Sequence, residues 1–406
     1  MQFGVSESVF HWGKYRPDSI AVYCDGKKYS YRELNNSINV LCNEIKNYQV
    51  FKNRIALSIK NKYYLLIALI AVLRIRKSNV FLNINLPLQN LDINILDSEV
   101  SDLIYDSPCA NICSLFNRTN AKLINIESIL SKNNKLIQME YLASESMSDD
   151  EWGILFSSGT TGIPKGISRD HYSIVTEHIG WCLELALNKN TKFYISRPLF
   201  YTGGLVLALS TLLVGGSIII NNFEDDNDFV KIWDDFQKSI KLFRKIDWAF
   251  FIPDQLRKFC KLVTSKSIVE KTSENILVMG APITGVEKVT CFNLLLANII
   301  ESWGNSESLG TITDPEDIKI RPNSIGRPFL TDEMYIINSE EEIIYEPNTI
   351  GRIAGGIEAG FKEYANRPED TKSVIKLDSI ISEDLGYFDT DGYFYIKARL
   401  QDSILI

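Results

Sequence analysis

Between Arg54 and Leu82 a short largely apolar run, a helical stretch apolar on every side and a second short apolar run follow one another. That succession constrains the fold more than any other feature of the chain. Arg54–Ser58 reads as a strand, residues 63–74 as a buried helix and residues 79–82 as the next strand. Repeated alternation of this kind gives an α/β fold in which helices cover sheets in layers. It recurs on both sides. Ile20–Cys24 and residues 28–30 flank Asp25-Gly26, a hairpin-type turn signal. Residues 31–49 carry Leu34, Ile38, Leu41 and Ile45 on one helical face. Residues 154–156 form a strand, a helix starts near Tyr172, and further strands are expected at 193–195, 217–220, 248–252, 276–279 and 298–302.

A chain of 406 residues exceeds one small core, so two or three subdomains are expected. Hydrophobic residues at 45% and charged residues at 23% are ordinary globular values and argue against a disordered or fibrous chain. The formal net charge of -8, with no basic patch to offset it, excludes nucleic acid as an expected partner. Seven scattered cysteines cannot all pair, and with three histidines they complete no zinc set; reduced thiols and a cytoplasmic location are expected. The apolar runs at 63–73 and 204–220 fall short of the ~20 residues a membrane span needs, and the N-terminus lacks a signal-peptide core. They read as buried elements of a soluble protein.

The chemistry concentrates after the strand at 154–156. Phe156-Ser157-Ser158-Gly159-Thr160-Thr161-Gly162-Ile163-Pro164-Lys165-Gly166 gathers hydroxyls, glycines and one lysine in a single loop. Such a loop can turn backbone N–H and side-chain O–H groups onto phosphate oxygens, with glycine allowing close approach and lysine adding a mobile charge. A Ser/Thr/Gly surface loop is the bland alternative, but it leaves the whole string to accident. It is not the P-loop of nucleotide triphosphatases, because Lys165 stands between Pro164 and Gly166 instead of between glycine and a hydroxyl residue.

This string resembles the signature loop of the adenylate-forming superfamily: acyl- and aryl-CoA synthetases, firefly luciferase and the adenylation domains of nonribosomal peptide synthetases. Further matches fall in the family's order. Tyr31-Arg32-Glu33-Leu34 with Asn39, and residues 67–87 ending in Leu82-Asn83 and Pro87, resemble its first two motifs. Gly280-Ala281-Pro282 is similar to the segment lying along adenine. Trp303-Gly304-Asn305-Ser306-Glu307 is similar to the motif whose aromatic packs on adenine, whose hydroxyl touches phosphate and whose glutamate helps hold Mg²⁺. Gly326-Arg327-Pro328 and Tyr364-Ala365-Asn366-Arg367-Pro368 are two more landmarks, and Asp384-Leu385-Gly386-Tyr387 resembles the ribose-binding segment. Arg399 and Asp402 match the arginine and aspartate before the family's hinge.

The resemblance implies ATP and Mg²⁺ as cofactors. The nucleotide would be bound by Ser157, Ser158, Gly159, Thr160, Thr161, Gly162, Lys165, Gly280, Ala281, Pro282, Trp303, Gly304, Asn305, Ser306, Asp384 and Arg399. Lys165, Thr161 and Glu307 would act in catalysis, with Glu307 as the metal ligand, a hard oxygen donor suited to Mg²⁺ bridging phosphates. Taken singly, each residue has a structural reading: Trp303 as core, Glu307 and Arg399 as solvated charges, Asp384 as a turn residue. It also implies a core over 1–322 in two subdomains, a smaller β-rich subdomain over 323–397 and a hinge over 398–406.

The expected reaction is attack of a carboxylate on the α-phosphorus of ATP, giving an acyl-adenylate and pyrophosphate. Transfer to coenzyme A, a carrier-protein thiol or an amine would follow. The acid would enter beside residues 198–205, touching Phe200, Tyr201, Gly203 and Gly204. No aspartate stands between Pro198 and Ser210 to pair with an α-ammonium group, which favours an acyl or aryl acid over an amino acid. Relatives continue into a lid domain of roughly a hundred residues that carries a catalytic lysine, whereas this chain stops at Ile406. A chain cut at the hinge, a lid supplied as a separate chain and a core that binds without turnover remain open. The alternative functions are accordingly a nucleotide- or acyl-binding module and an amino-acid adenylation domain.

Overall fold

The computed structural model describes residues 4–47, 53–100, 102–116, 121–132, 150–157, 164–264, 273–307, 309–356, 360–376 and 379–400. The strand–helix–strand unit forms as expected. Arg54–Ser58 runs parallel to Ser78–Phe81, with Ile55 opposite Asn79. The crossover between them is the helix Lys62–Arg74, in which only Tyr64 and Arg74 escape burial. Asn61 starts that helix by accepting a hydrogen bond from the Tyr64 N–H at 3.1 Å, a side-chain cap of the usual kind.

Two mixed sheets result. The seven-stranded sheet runs Glu363–Tyr364, Gly166–Asp170, Glu151–Phe156, Ser78–Phe81, Arg54–Ser58, Asp102–Tyr105, Leu123–Asn125. The nine-stranded sheet has Asn298–Gly304, Asn275–Val278, Trp248–Phe251, Lys192–Ile195 and Ser217–Ile220 as successive parallel neighbours. Between the sheets lie the helices Lys62–Arg74 and Thr202–Leu213, the two apolar runs read above as buried elements. One core cluster joins Leu57 and Phe81 of the first sheet to Phe193, Ile195 and Ile218 of the second through Leu66, Ile70, Leu207 and Leu209. Truncating a side chain as enclosed as Leu207 to alanine removes about 2–5 kcal/mol. Among the described residues no helix is long and apolar enough to cross a membrane, and all seven cysteines are free.

The third sheet is antiparallel, built on Met334–Ile337, Gly351–Gly356, Ser379–Phe388 and Phe394–Arg399. The chain is thus α/β with two mixed sheets and a C-terminal antiparallel β subdomain. The stretch 323–397 also lends strands to the large sheets. Arg327–Pro328 pairs with Gly310–Ile312, and Glu363–Tyr364 pairs with Gly166–Asp170. At the junction Gly326 has φ +98 and bridges Phe394, and a Cβ there would stand 2.0 Å from the Ile312 carbonyl oxygen. Only glycine fits both demands.

Element ends differ from expectation by a few residues, and one difference has a clear cause. The strand expected at 154–156 begins at Glu151, whose charge hides it from a hydrophobic pattern. Arg54 donates to both Glu151 carboxylate oxygens at 2.8 and 2.7 Å, and Ser168 donates at 3.0 Å. A paired carboxylate is tolerated inside a sheet where a bare one is not.

Candidate nucleotide site

The signature loop springs from a β-hairpin. Glu151–Phe156 and Gly166–Asp170 pair antiparallel with Phe156 opposite Gly166, and the Ser157 N–H donates to the Lys165 carbonyl at 3.0 Å. That bond closes the loop's neck. Ser158, Gly159, Thr160, Thr161 and Gly162 lie outside the described residues.

At the neck Lys165 meets groups from far along the chain. Its ammonium stands 2.8 Å from an Asp370 carboxylate oxygen and 5.0 Å from the centre of the Tyr364 ring. The same Tyr364 donates its hydroxyl to the Glu307 carboxylate. One tyrosine therefore spans the interval between loop lysine and motif glutamate. Burial, and then the neighbouring Glu307 charge, push the Tyr364 phenol well above its ordinary range, so it is a hydrogen-bond donor throughout the physiological range. Pairing of residues 363–364 with the strand after the loop explains the position, and the Ala365 N–H donating to the Gly166 carbonyl at 2.7 Å extends it.

Trp303 is half-buried and packs on the cluster that holds Tyr364, Leu309 and Phe361. It lies near the end of Asn298–Gly304, followed by a turn in which the Asn305 N–H donates to the Leu309 carbonyl at 3.0 Å and the Asn305 side chain accepts the return bond at 2.9 Å. Gly304, exposed, pairs opposite Gly310. Ser306 and Glu307 complete the turn, both partly exposed. The neighbouring parallel strand sets Val278 opposite Glu301, so Met279 and Gly280 emerge beside Ser302 and Trp303. Gly280, Ala281 and Pro282 form an exposed loop, braced by Arg257, which donates to the Pro282 carbonyl at 2.9 Å. These segments lie at carboxyl ends of parallel strands, where open α/β sheets present their ligand crevices.

Residues 198–205 reach the same place. A Cβ on Gly203 would stand 3.1 Å from the Met279 sulfur and 3.4 Å from Phe250. Gly204 packs over the Pro198 carbonyl. Phe200 is buried against Tyr201, with ring centres 4.7 Å apart. Tyr201 accepts a bond of 3.3 Å from the Asn83 amide and lies under the Arg197 guanidinium.

Asp384 and Arg399 face each other across neighbouring strands and pair at 3.4 Å. They are set on the small antiparallel sheet. The adjacent Glu383 is close enough for its charge to act on Tyr364. Asp402 lies outside the described residues. Two residues here escaped sequence reading. Asn83 belongs to a noted motif, but its contact with Tyr201 spans 118 positions. Asp370 follows the last residue of the Tyr364–Pro368 landmark by two positions, and nothing local marks it as a partner of Lys165.

The groups present suit a magnesium-bound triphosphate. An ammonium and a carboxylate converge on one tyrosine beside a loop of hydroxyls and glycines. Among the described residues no group of three or more ligating side chains stands together. Mg²⁺ characteristically needs only one or two carboxylates beside phosphates and water. Glu307 fits that role.

Trp303, Lys165 at the loop's neck and the Gly203 segment are carried on one α/β core, and comparison with known proteins gives its family. Residues 9–364 match the model of the family described as AMP-binding enzyme. A 2-succinylbenzoate–CoA ligase of Oceanobacillus iheyensis is 26% identical over 333 residues, 80% of this chain and 64% of the relative. A luciferin 4-monooxygenase of Photuris pensylvanica is 25% identical over 62% of this chain and 46% of its own length. The chain thus spans less than two thirds of these relatives. In structure it superposes on the N-terminal domain of FACL13 from Mycobacterium tuberculosis with a TM-score of 0.86 at 19% identity, covering 98% of this chain and 100% of that one. An o-succinylbenzoate coenzyme A synthetase from Bacillus subtilis, solved with ATP and magnesium ion, gives 0.84 at 19% identity over 97% and 80%. The chain belongs to the AMP-binding enzyme family, the adenylate-forming ligases.

Proposed function

We propose that this protein activates a carboxylic acid with ATP, forming an acyl-adenylate and pyrophosphate for transfer to coenzyme A, a carrier-protein thiol or an amine. The observation that carries the reading is the convergence of Lys165 and Glu307 on Tyr364 at the neck of the signature loop. Glu307 would hold Mg²⁺ against the phosphates, Lys165 would neutralise phosphate charge, and Trp303 with Gly280–Pro282 would seat adenine. A carboxylate is already a nucleophile, so the reaction calls for in-line positioning and charge neutralisation and requires no general base.

The acid is an acyl or aryl one in this reading. The slot at Phe200, Tyr201, Gly203 and Gly204 is bounded by Met279 and Phe250 and presents no aspartate between Pro198 and Ser210 for an α-ammonium group. Curated relatives named as 2-succinylbenzoate–CoA and long-chain-fatty-acid–CoA ligases are in keeping with that class. The test is carboxylate-dependent ATP–pyrophosphate exchange across fatty, aryl and amino acids, run on the gene's full reading frame. Exchange with an acyl or aryl acid is expected. Tight MgATP binding with no exchange for any acid would leave a nucleotide-binding module in place of an enzyme.

A further inference from the structure

Lys165 has a partner that no motif supplies. An ammonium carries three N–H donors. One of them meets Asp370 at 2.8 Å, and the charge also rests over the face of Tyr364. The lysine side chain is 17% exposed and that of Asp370 37%, so the pair is neither a loose surface contact nor a sealed one. Asp370 is itself anchored. Its second oxygen lies 3.8 Å from Arg367, and Arg367 donates to Asp97 at 2.9 and 2.7 Å. The carboxylate is thus tied, through Arg367, to the helix Leu88–Asp97.

We propose that Asp370 is a positioning residue for the triphosphate: it orients the Lys165 ammonium, beside Tyr364 and Glu307, for the phosphates of ATP. The proposal rests on the nucleotide-site reading above. Its physical basis is side-chain entropy. A free lysine samples many rotamers, and ordering it on binding costs affinity that a pre-oriented lysine retains. Asp370 meets one side of the ammonium and the Tyr364 ring, itself bonded to Glu307, meets another, so both contacts fix where the remaining donor stands. AMP lacks the β- and γ-phosphates, so it should be indifferent to this arrangement.

Calorimetric titration with MgATP and, separately, with AMP distinguishes the cases. Asp370→Ala is expected to weaken MgATP binding about five- to tenfold while leaving AMP within about twofold. Asp370→Glu should recover part of the loss. Lys165→Ala should weaken MgATP at least as much, and adding Asp370→Ala to it should cause no further loss, because the aspartate then has nothing to orient. An Asp370→Ala protein that keeps wild-type MgATP affinity while Lys165→Ala loses it would overturn the proposal. Equal weakening of AMP and MgATP, or additive losses in the double variant, would overturn it too by marking a general structural role. If Lys165→Ala itself leaves MgATP affinity unchanged, the triphosphate reading of the loop fails, and this inference with it.

Discussion

Tyr364 donates its hydroxyl to Glu307 and so holds the glutamate of one sequence motif from the landmark of another, 57 positions away. Its ring meanwhile lies 5.0 Å from the Lys165 ammonium. A single side chain sets the spacing between the cationic and anionic groups of the candidate triphosphate site.

Tyr364→Phe should therefore separate two roles. The ring stays under Lys165, but Glu307 loses the donor that orients it. Removing a hydrogen-bond partner behind a metal ligand typically costs about 10–100-fold in metal affinity or activity. The Mg²⁺ concentration that half-saturates ATP–pyrophosphate exchange should rise at least about tenfold, with AMP affinity little changed. An unchanged Mg²⁺ requirement would remove Glu307 from the metal site.

Gly203→Ala tests the acid slot. The new Cβ would meet the Met279 sulfur at 3.1 Å and Phe250 at 3.4 Å, closer than relaxed carbon contacts, so the proposed slot narrows on its Met279 side. KM for the acid should rise about tenfold, the usual scale for a methyl group in a specificity pocket. The dissociation constant for AMP should hold. Loss of AMP binding alongside would show that the wall between the two sites has collapsed.

Gly326→Ala addresses stability. With φ +98 and a Cβ 2.0 Å from the Ile312 carbonyl oxygen, any side chain forces the backbone apart where the β subdomain meets the nine-stranded sheet. A loss of more than about 3 kcal/mol is expected, combining strain with overpacking. Urea unfolding followed by tryptophan fluorescence would report it. A variant as stable as the parent would mean that this junction yields easily.

Lys62 supplies a pH dependence. It is 3% exposed, donates to the Ser196 carbonyl at 3.1 Å and faces Phe223. Burial lowers its pKa from 10.5 to about 8, although the Asp226 charge acts the other way. Between those values the unfolded chain binds more protons than the folded one, so stability rises with pH across that window and the cost is fully present below it. Lys62→Met has no such term. The stability difference between variant and parent should shift by on the order of 2–3 kcal/mol in the parent's favour between pH 7.5 and pH 10. Parallel denaturation curves at the two pH values would contradict this.

Much of this molecule is legible in its sequence because the governing physics is local. The helix Lys62–Arg74 is apolar on all sides and can only be buried, and Arg54–Ser58 and Ser217–Ile220 are short, largely apolar runs whose bounds match the strands found. The signature loop, Trp303 and Glu307 are likewise visible as residues, because a glycine-hydroxyl string and a Trp-Gly-Asn-Ser-Glu run stand out where they occur.

What sequence could not supply is the set of distances. Glu151 begins a strand because Arg54, 97 positions earlier, neutralises its carboxylate. The stretch 323–397 reaches into both large sheets through two-residue strands too short to carry a period of their own. Asp370 meets Lys165 across 205 positions only because Glu363–Tyr364 pairs with Gly166–Asp170 and carries the following helix to the loop's neck. The order of residues along this chain determines which groups exist and the alternation that layers them. Hydrogen-bonded sheet register decides which of them meet, because bringing distant segments together depends on non-local pairing that no stretch of sequence encodes alone.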